Sequence, residues 1–251
     1  MTEIASTQTT INQAELDKFT AMAEQWWDPT GKFKPLHKFN PVRLAYIREV
    51  ALEHFDRDGT KRRPFEGLSM IDIGCGGGLL CEPMTRLGFD VTGIDAAARN
   101  IGIASVHAEQ SGLDVDYRAT TAEDMVREGR QYDMVLNMEV VEHVDNVPFF
   151  LKSCAALVKP GGLLLTATIN RTARAFALAI VGAEYVLNWL PKGTHSYAKF
   201  LAPEEIASML KREGLEVKDK CGVTFSPLHN EWSKSRDMGV NYMLLAEKPV
   251  Q

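Results

Sequence analysis

The chain has 251 residues, of which 45% are hydrophobic and 24% are charged, a composition typical of a soluble globular enzyme and not of a disordered chain. Its formal net charge is −5 and it has no long block of Lys or Arg, which argues against nucleic acid and favours a small or lipidic substrate. The four cysteines match neither a paired zinc motif nor a redox pair, and the polar N-terminus does not resemble a secretory signal, so we expect a cytoplasmic protein with reduced thiols.

The first part of the chain predicts helices. Residues 11–27 carry apolar side chains at helical spacing until Asp28-Pro29 interrupts the pattern. A second helix is expected to begin near Asn40-Pro41, where Asn can cap the helix and Pro suits its first turn. We expect residues 12–66 to form an N-terminal helical cap.

The rest of the chain alternates short apolar runs with helical patterns, which predicts βαβ units and a mainly parallel sheet. The predicted strands cover residues 69–73, 90–94, 115–117, 132–137, 163–169, 215–223 and 240–247, with a late helix at 203–213. The sequence therefore predicts a single α/β domain with a seven-stranded Rossmann-like sheet and helices on both faces. We expect a cofactor-binding core at 67–169, an apolar helical insertion at 170–200 and a closing segment at 201–251.

A glycine-rich turn follows the first predicted strand, in the run Gly74-Cys75-Gly76-Gly77-Gly78. Glycine allows the backbone to approach a ligand closely, so Gly74 and Gly76 are candidate cofactor contacts. The dinucleotide pattern Gly-x-Gly-x-x-Gly is not met, because Leu79 occupies its last position. The turn alone fits several nucleotide cofactors.

Two acids favour S-adenosylmethionine among these cofactors. A carboxylate at Asp72 would repel a pyrophosphate but would attract the α-amino group of the methionyl moiety. Asp95 ends the second strand, where an acid can accept both hydroxyls of a ribose; the alternative is a solvated acid at a loop tip. Met138, after the fourth strand, can line the same pocket or belong to the core. After the third strand, Thr121 stands where an acid that contacts adenine would be expected; Glu123 and Asp124 follow it, as part of an adenine contact or, equally, as solvated acids at a helix start.

The run Glu139-Val140-Val141-Glu142-His143 carries the candidate chemistry. On a helix, Glu139, Glu142 and His143 would share one face and could hold Mg²⁺ or another divalent cation. Acids that merely complement a helix dipole are an equal alternative. His143 could also act as a general base at neutral pH.

The predicted insertion at residues 170–200 contains an apolar run that is too short to cross a bilayer. Arg171, Arg174 and Lys192 flank this run and Trp189 lies near its end, a pattern that fits docking at an anionic membrane surface. A buried lid or a subunit interface is the alternative.

The sequence resembles the ubiquinone biosynthesis O-methyltransferases, and the similarity runs from about Leu16 to Leu245. The motifs that carry it are Trp26-Trp27-Asp28, Gly31 to Leu44, Gly74 to Gly78, Met138-Glu139, Glu142-His143, Val181 to Tyr185, Pro191 to His195 and Val240 to Leu244.

This resemblance implies a class I S-adenosylmethionine-dependent methyltransferase that methylates ring hydroxyls of a polyprenyl catechol and of a demethylubiquinol. It implies cofactor contacts by Arg43, Gly74, Asp95 and Met138, in which the Arg43 guanidinium can bind the methionyl carboxylate. Both implied acceptors carry isoprenoid tails that partition into lipid, which would explain an apolar insertion near the membrane surface. We therefore expect a peripheral contact with anionic lipids at the inner face of the membrane. Other enzymes of ubiquinone biosynthesis are further expected partners.

The resemblance also suggests Glu139, Glu142 and His143 as metal ligands. The expected reaction is a direct in-line displacement, in which a hydroxyl ionised through the metal, Glu142 or His143 attacks the sulfonium methyl. A nicotinamide oxidoreductase is a rival hypothesis that Asp72 and Leu79 oppose. A non-catalytic cofactor-binding module is another.

Overall fold

The computed structural model describes residues 9–178, 197–226 and 229–250. Its helices are α1 (Gln13–Met22), α2 (Lys34–His54), α3 (Cys81–Arg86), α4 (Ala98–Gln110), α5 (Ala122–Arg127), α6 (Val147–Ala156), α7 (Ala173–Ala175) and α8 (Pro203–Arg212). Its strands are β1 (Ser69–Ile73), β2 (Asp90–Asp95), β3 (Asp116–Ala119), β4 (Tyr132–Met138), β5 (Val158–Ile169), β6 (Glu216–Ser226), β7 (Glu231–Ser235) and β8 (Asn241–Glu247). Most of the predicted insertion, with Trp189, Lys192 and His195, lies outside the described residues.

The N-terminal cap consists of α1, a 3-10 turn at Ala23–Gln25, and α2. Asn12 caps α1, since its side chain accepts a hydrogen bond from the backbone N–H of Glu15. The α2 helix begins at Lys34, so the predicted start near Asn40-Pro41 was wrong. Pro35 already lies in the first turn, where a missing N–H costs nothing, and Pro41 is accommodated inside the helix.

The sheet has eight strands in the order β3-β2-β1-β4-β5-β8-β6-β7, whereas the sequence predicted seven. The first five strands in this order run parallel, and β8, β6 and β7 pair antiparallel at one side. The additional strand is β7, which the apolar pattern missed because this edge strand is mostly polar and only Trp232 and Ser235 are partly buried.

Helices cover both faces of the sheet, as predicted. Alternate residues of β1 point to opposite faces: Met70 packs in a core with side chains of α2 and α3, and Ile71 packs in a core with side chains of α5, α6 and α8. A third, small cluster joins Trp26 and Phe33 of the cap to Leu79, next to the glycine turn. The cap is therefore packed against the loop that follows β1.

The strand order reverses between β1 and β4, so their carboxyl ends flank a crevice of the kind in which α/β sheets bind ligands. The glycine turn follows β1 and Glu139 follows β4, which places them on the two sides of this crevice. Within the described ranges, no helix has the length and apolar character needed to cross a bilayer.

Candidate cofactor and active site

A cavity of about 960 Å³ lies at the carboxyl ends of the parallel strands, a size at the upper end for small-molecule sites. One end is polar and charged, with Asp72, Asp95 and Arg43. Another part of the lining is apolar, with Phe39, Phe225 and Trp232 in contact with one another. The cavity brings together most of the predicted site residues, which are Arg43, Asp72, Gly74, Asp95, Met138, Glu139, Glu142 and His143.

The glycines after β1 are required by contacts within the protein itself. Gly74 and Gly76 have φ angles of +71° and +54°, in the region that favours glycine. A Cβ atom on Gly76 or Gly77 would lie 2.4 Å from the Trp26 side chain, and one on Gly74 would lie 2.5 Å from Val140. The cap and the loop after β4 therefore give this turn a second need for glycine, and the close approach of a ligand stays a prediction.

Asp95 connects the end of β2 to the glycine turn. Its Oδ2 accepts a hydrogen bond from the Gly76 N–H at 3.0 Å, and its Oδ1 accepts from the Ala97 N–H at 2.8 Å and from Asn100 Nδ2 at 3.2 Å. Burial raises the pKa of Asp95, and these three donors act against that rise. Asp95 is thus held rigidly in the cavity wall and is not a solvated acid at a loop tip. Gly76 contributes by orienting it.

Asp72 and Arg43 are buried opposite charges at the same end of the cavity. Burial raises the pKa of Asp72 to about 7, although a hydrogen bond from Cys81 and the charge of Arg43 oppose the rise. Arg43 donates from Nη2 to Asn40 Oδ1 at 2.8 Å, but its buried Nε finds no hydrogen-bond partner among the residues that the structure describes. The site therefore offers a buried acid and a buried donor to a ligand.

The prediction that Glu139, Glu142 and His143 share one helical face was wrong. Glu139 has a φ of +61°, and only Val141–His143 form a single 3-10 turn. A left-handed φ cannot belong to a right-handed α-helix, and the Glu139 N–H still donates to Ala167 O on β5 at 2.9 Å, so Glu139 continues the sheet pairing of β4.

Glu139 and Glu142 are nevertheless close enough to affect each other. Burial and, next, the charge of Glu142 raise the pKa of Glu139 to about 8, while Arg43 opposes the rise. The buried Oε1 of Glu139 has no hydrogen-bond partner in the described part of the chain. Glu142 is held in place by Thr168, whose hydroxyl donates to Glu142 Oε2 at 2.8 Å.

His143 pairs with an acid that sequence reasoning missed. Its Nδ1 lies 3.0 Å from Oε2 of Glu15 in α1, and this hydrogen bond is the main cause that lowers the pKa of Glu15 to about 2. Phe19, one turn further along α1, packs edge-on against the imidazole with ring centroids 5.2 Å apart. No local signal could have revealed this pair, because Glu15 and His143 are 128 residues apart.

Two further hydrogen bonds connect the N-terminal part of the chain to residues that line the cavity. Trp26 Nε1 donates to Asn100 Oδ1 at 3.0 Å, and the Thr10 N–H donates to Oε1 of Glu123 at 3.0 Å. Glu123 is buried, so the solvated alternative was wrong for this residue. Thr121, which stands before it, caps α5 by accepting from the Asp124 N–H at 3.3 Å.

Among residues 9–178, 197–226 and 229–250, no group of three or more His, Cys, Asp and Glu side chains is arranged to hold a metal ion. Glu139 and Glu142 form a pair of oxygen donors, and the Nδ1 of His143 is engaged with Glu15.

The fold and this site define the chain as a class I methyltransferase. Residues 44–220 match the family model described as a methyltransferase domain. The chain also superposes on magnesium protoporphyrin IX methyltransferase from Synechocystis with bound SAH, with a TM-score of 0.68 over 94% of this chain and 99% of that one. The sequence identity is 16%, so this likeness speaks for the fold alone.

Closer relatives define the family. The chain is 61% identical to the ubiquinone biosynthesis O-methyltransferase of Sinorhizobium medicae, over 97% of this chain and 98% of that relative. It is 60% identical to the protein of the same name from Rhizobium johnstonii, over the whole of both chains. The chain belongs to the ubiquinone biosynthesis O-methyltransferase family, which confirms the resemblance recognised in the sequence motifs.

Proposed function

We propose that this protein transfers the methyl group of S-adenosylmethionine to ring hydroxyls of a polyprenyl catechol, 2-polyprenyl-6-hydroxyphenol, and of 3-demethylubiquinol. The observation that carries the proposal is the cavity itself, in which buried, incompletely paired charges adjoin the acids after β4 and an apolar wall. Such a cavity suits a charged cofactor at one end and an apolar acceptor at the other.

The chain has a suitable group for each part of the cofactor. Arg43 can bind the methionyl carboxylate with its guanidinium, and Asp72 can bind the methionyl ammonium, which would favour the ionised form of this buried acid. Asp95, already oriented by Gly76, can accept the ribose hydroxyls, and Met138 lines the same pocket. Bound S-adenosylmethionine supplies a methyl group on a positively charged sulfur.

Two groups of the chain can take the proton of the acceptor hydroxyl. His143 is oriented by Glu15 through Nδ1, an arrangement that fixes the imidazole ring for proton transfer at Nε2. Glu142, held by Thr168, is the other candidate base. Both side chains line the cavity, so both can reach a substrate bound there.

A divalent cation fits part of this donor set. Glu139 and Glu142 provide carboxylate oxygens, and Mg²⁺ is commonly held by one or two carboxylates together with water and substrate oxygens. We therefore propose Glu139 and Glu142 as its principal ligands, with His143 as a further ligand only through Nε2. A cation bound there would favour the ionised form of a catechol hydroxyl.

Transfer of a labelled methyl group to a short-tailed demethylubiquinol and to a short-tailed catechol tests the proposal. We expect transfer to both acceptors and strong loss of transfer in Glu142→Ala and His143→Ala. Glu109→Lys, at an exposed residue of α4, is the control for a change of charge away from the cavity. If neither acceptor is methylated, the proposed function is contradicted. If activity survives both chelation and Glu142→Ala, the proposed role of a divalent cation is contradicted.

We also propose a peripheral contact with anionic lipids and proximity to other enzymes of ubiquinone biosynthesis. Phe176 and Leu178 are 44% and 52% exposed at the start of the apolar insertion, which supports an apolar contact. Arg171 and Arg174 pair with Glu205 and Asp237, so their attraction to lipid headgroups is reduced.

Sedimentation with vesicles that contain anionic lipid tests this contact. The double variant Phe176→Ser, Leu178→Ser is expected to lower the bound fraction. Val106→Ser, at an exposed apolar residue on α4, is the matched control. Equal binding of all three proteins would rule out this surface.

A further inference from the structure

Three aromatic side chains form the apolar end of the cavity. Phe39 lies on α2, Phe225 on β6 and Trp232 on β7. Phe225 and Trp232 face each other as direct cross-strand partners with ring centroids 5.3 Å apart, and Trp232 lies 5.0 Å from Phe39. These three side chains, here called the aromatic wall, therefore form one continuous surface.

Arg43 connects the aromatic wall to the cofactor end of the cavity. The guanidinium carbon of Arg43 lies 5.0 Å from the ring centroid of Phe39, and α2 carries both residues one turn apart. Arg43 also interacts electrostatically with Glu139 and Asp72. A molecule whose hydroxyl lies near Glu139 and which extends past Arg43 consequently runs along the aromatic wall.

The chemistry of the wall suits an uncharged, unsaturated chain. Its three members carry no formal charge, and Phe225 and Trp232 remain only partly buried although they line a cavity inside the protein. Val223 belongs to the same core cluster as Phe39 and Trp232 and also lines the cavity. Aromatic faces gain dispersion contacts with alkenyl groups, and their apolar area is removed from water when such a chain binds.

We infer that the aromatic wall binds the first isoprenoid units of the acceptor's tail and so selects prenylated over tail-less acceptors. This inference rests on the proposed function, because that function supplies an acceptor with a tail. It assigns Trp232 and Phe225 the role of determining specificity, separate from the groups that hold the cofactor or move the proton.

Equilibrium binding of two catechols tests the inference, one with a geranyl substituent beside the hydroxyls and one without it. Wild-type protein is expected to bind the geranyl compound more tightly. The preference is measured as the dissociation constant of the tail-less catechol divided by that of the geranyl catechol. Trp232→Ala and Phe225→Ala should each reduce this ratio about tenfold, as expected when a large apolar contact is removed. Trp232→Leu, which keeps apolar bulk, should retain part of the preference and guards against a failure to fold.

Phe55→Ala is the matched control, since Phe55 is a partly buried aromatic residue against the same core that does not line the cavity. It should leave the ratio unchanged. A ratio that stays at the wild-type value in both wall variants, or wild-type protein that binds both catechols equally, would overturn the inference. Wild-type protein that prefers the geranyl catechol without methylating either compound would contradict the proposed function and leave the wall's role supported.

Discussion

The two ends of the cavity differ in the kind of group that they offer to a ligand. At the cofactor end, Asp72, Asp95 and Arg43 are fixed by hydrogen bonds or buried beside opposite charges, so ligand groups must match them in position and sign. At the other end, Phe39, Phe225 and Trp232 provide apolar area with little directional demand. On the proposed function, the cofactor would therefore be selected by charge and geometry, and the acceptor by shape and burial of apolar area.

The largest effect is expected when the anchor of the cofactor end is removed. Asp95→Ala deletes a candidate ribose contact and also the acceptor for Gly76, Ala97 and Asn100. We expect S-adenosylmethionine affinity to fall about hundredfold by calorimetry, since a lost hydrogen bond to a charged group costs about 1.5–3 kcal/mol. Asp90→Ala, at the exposed start of the same strand, should bind normally; equal affinities for both variants would refute the assignment.

A second prediction concerns the dependence of the cofactor end on the cap. Gly76→Ala places a Cβ 2.4 Å from Trp26 at a left-handed backbone position, so it should lower the free energy of unfolding by about 2–4 kcal/mol in a urea titration. Gly112→Ala has the same backbone strain, at φ +64°, but no atom near its Cβ, and should lose only about 1 kcal/mol. The added substitution Trp26→Ala should relieve part of the excess, and equal losses in the two glycine variants would disprove the clash.

Glu15→Gln tests whether the cap also contributes to catalysis by orienting His143. Loss of the carboxylate that holds His143 should lower kcat about tenfold, comparable to the loss of other partners that orient a functional histidine. The S-adenosylmethionine dissociation constant should change less. Gln13→Glu, at an exposed residue two positions before Glu15 on the same helix, offers a control, and an unchanged kcat in Glu15→Gln would remove Glu15 from the mechanism.

The smallest expected effect is the release of protons when the cofactor binds. The pKa of Asp72 is raised from 3.8 to about 7, so between these values the folded protein holds a proton that the unfolded chain has lost. Stability from this group is therefore lost as pH rises through that window. A bound ammonium should reverse the shift, so binding at pH 6 should release protons, detected by calorimetry in two buffers of different ionisation enthalpy. Asp72→Asn should reduce the release, and undiminished release would contradict this role.

The cofactor end was largely predictable because its signals are local. A strand that carries Asp72 just before its last residue, a turn of glycines and a second strand that ends in Asp95 lie within one βαβ unit, and parallel pairing of β1 with β2 brings them together. The reason for the glycines was not predictable, since Trp26 and Val140 approach the turn from other parts of the chain.

The acceptor end depended on contacts that no local pattern reveals. The run from Glu139 to His143 suits a helix, but Glu139 has a left-handed φ of +61° where the chain leaves the sheet, and no local pattern predicts this conformation. Glu15 reaches His143 through tertiary packing of the cap, and Trp232 belongs to a polar edge strand without an apolar pattern. Here the family motifs indicated Glu139, Glu142 and His143, and the three-dimensional fold was needed to show Glu15 and Trp232.

The separation of the two ends is tested most directly by the dissociation constant of S-adenosylmethionine in Arg43→Gln and in Trp232→Leu. Loss of a buried charge from the cofactor end should raise this constant about thirtyfold or more, since truncating one member of a buried charge pair costs about 2 kcal/mol at least. Trp232→Leu should leave it within about threefold of wild type, because that substitution affects only apolar area. Equal weakening in the two variants, or normal binding by Arg43→Gln, would contradict the division of the cavity into a cofactor end and an acceptor end.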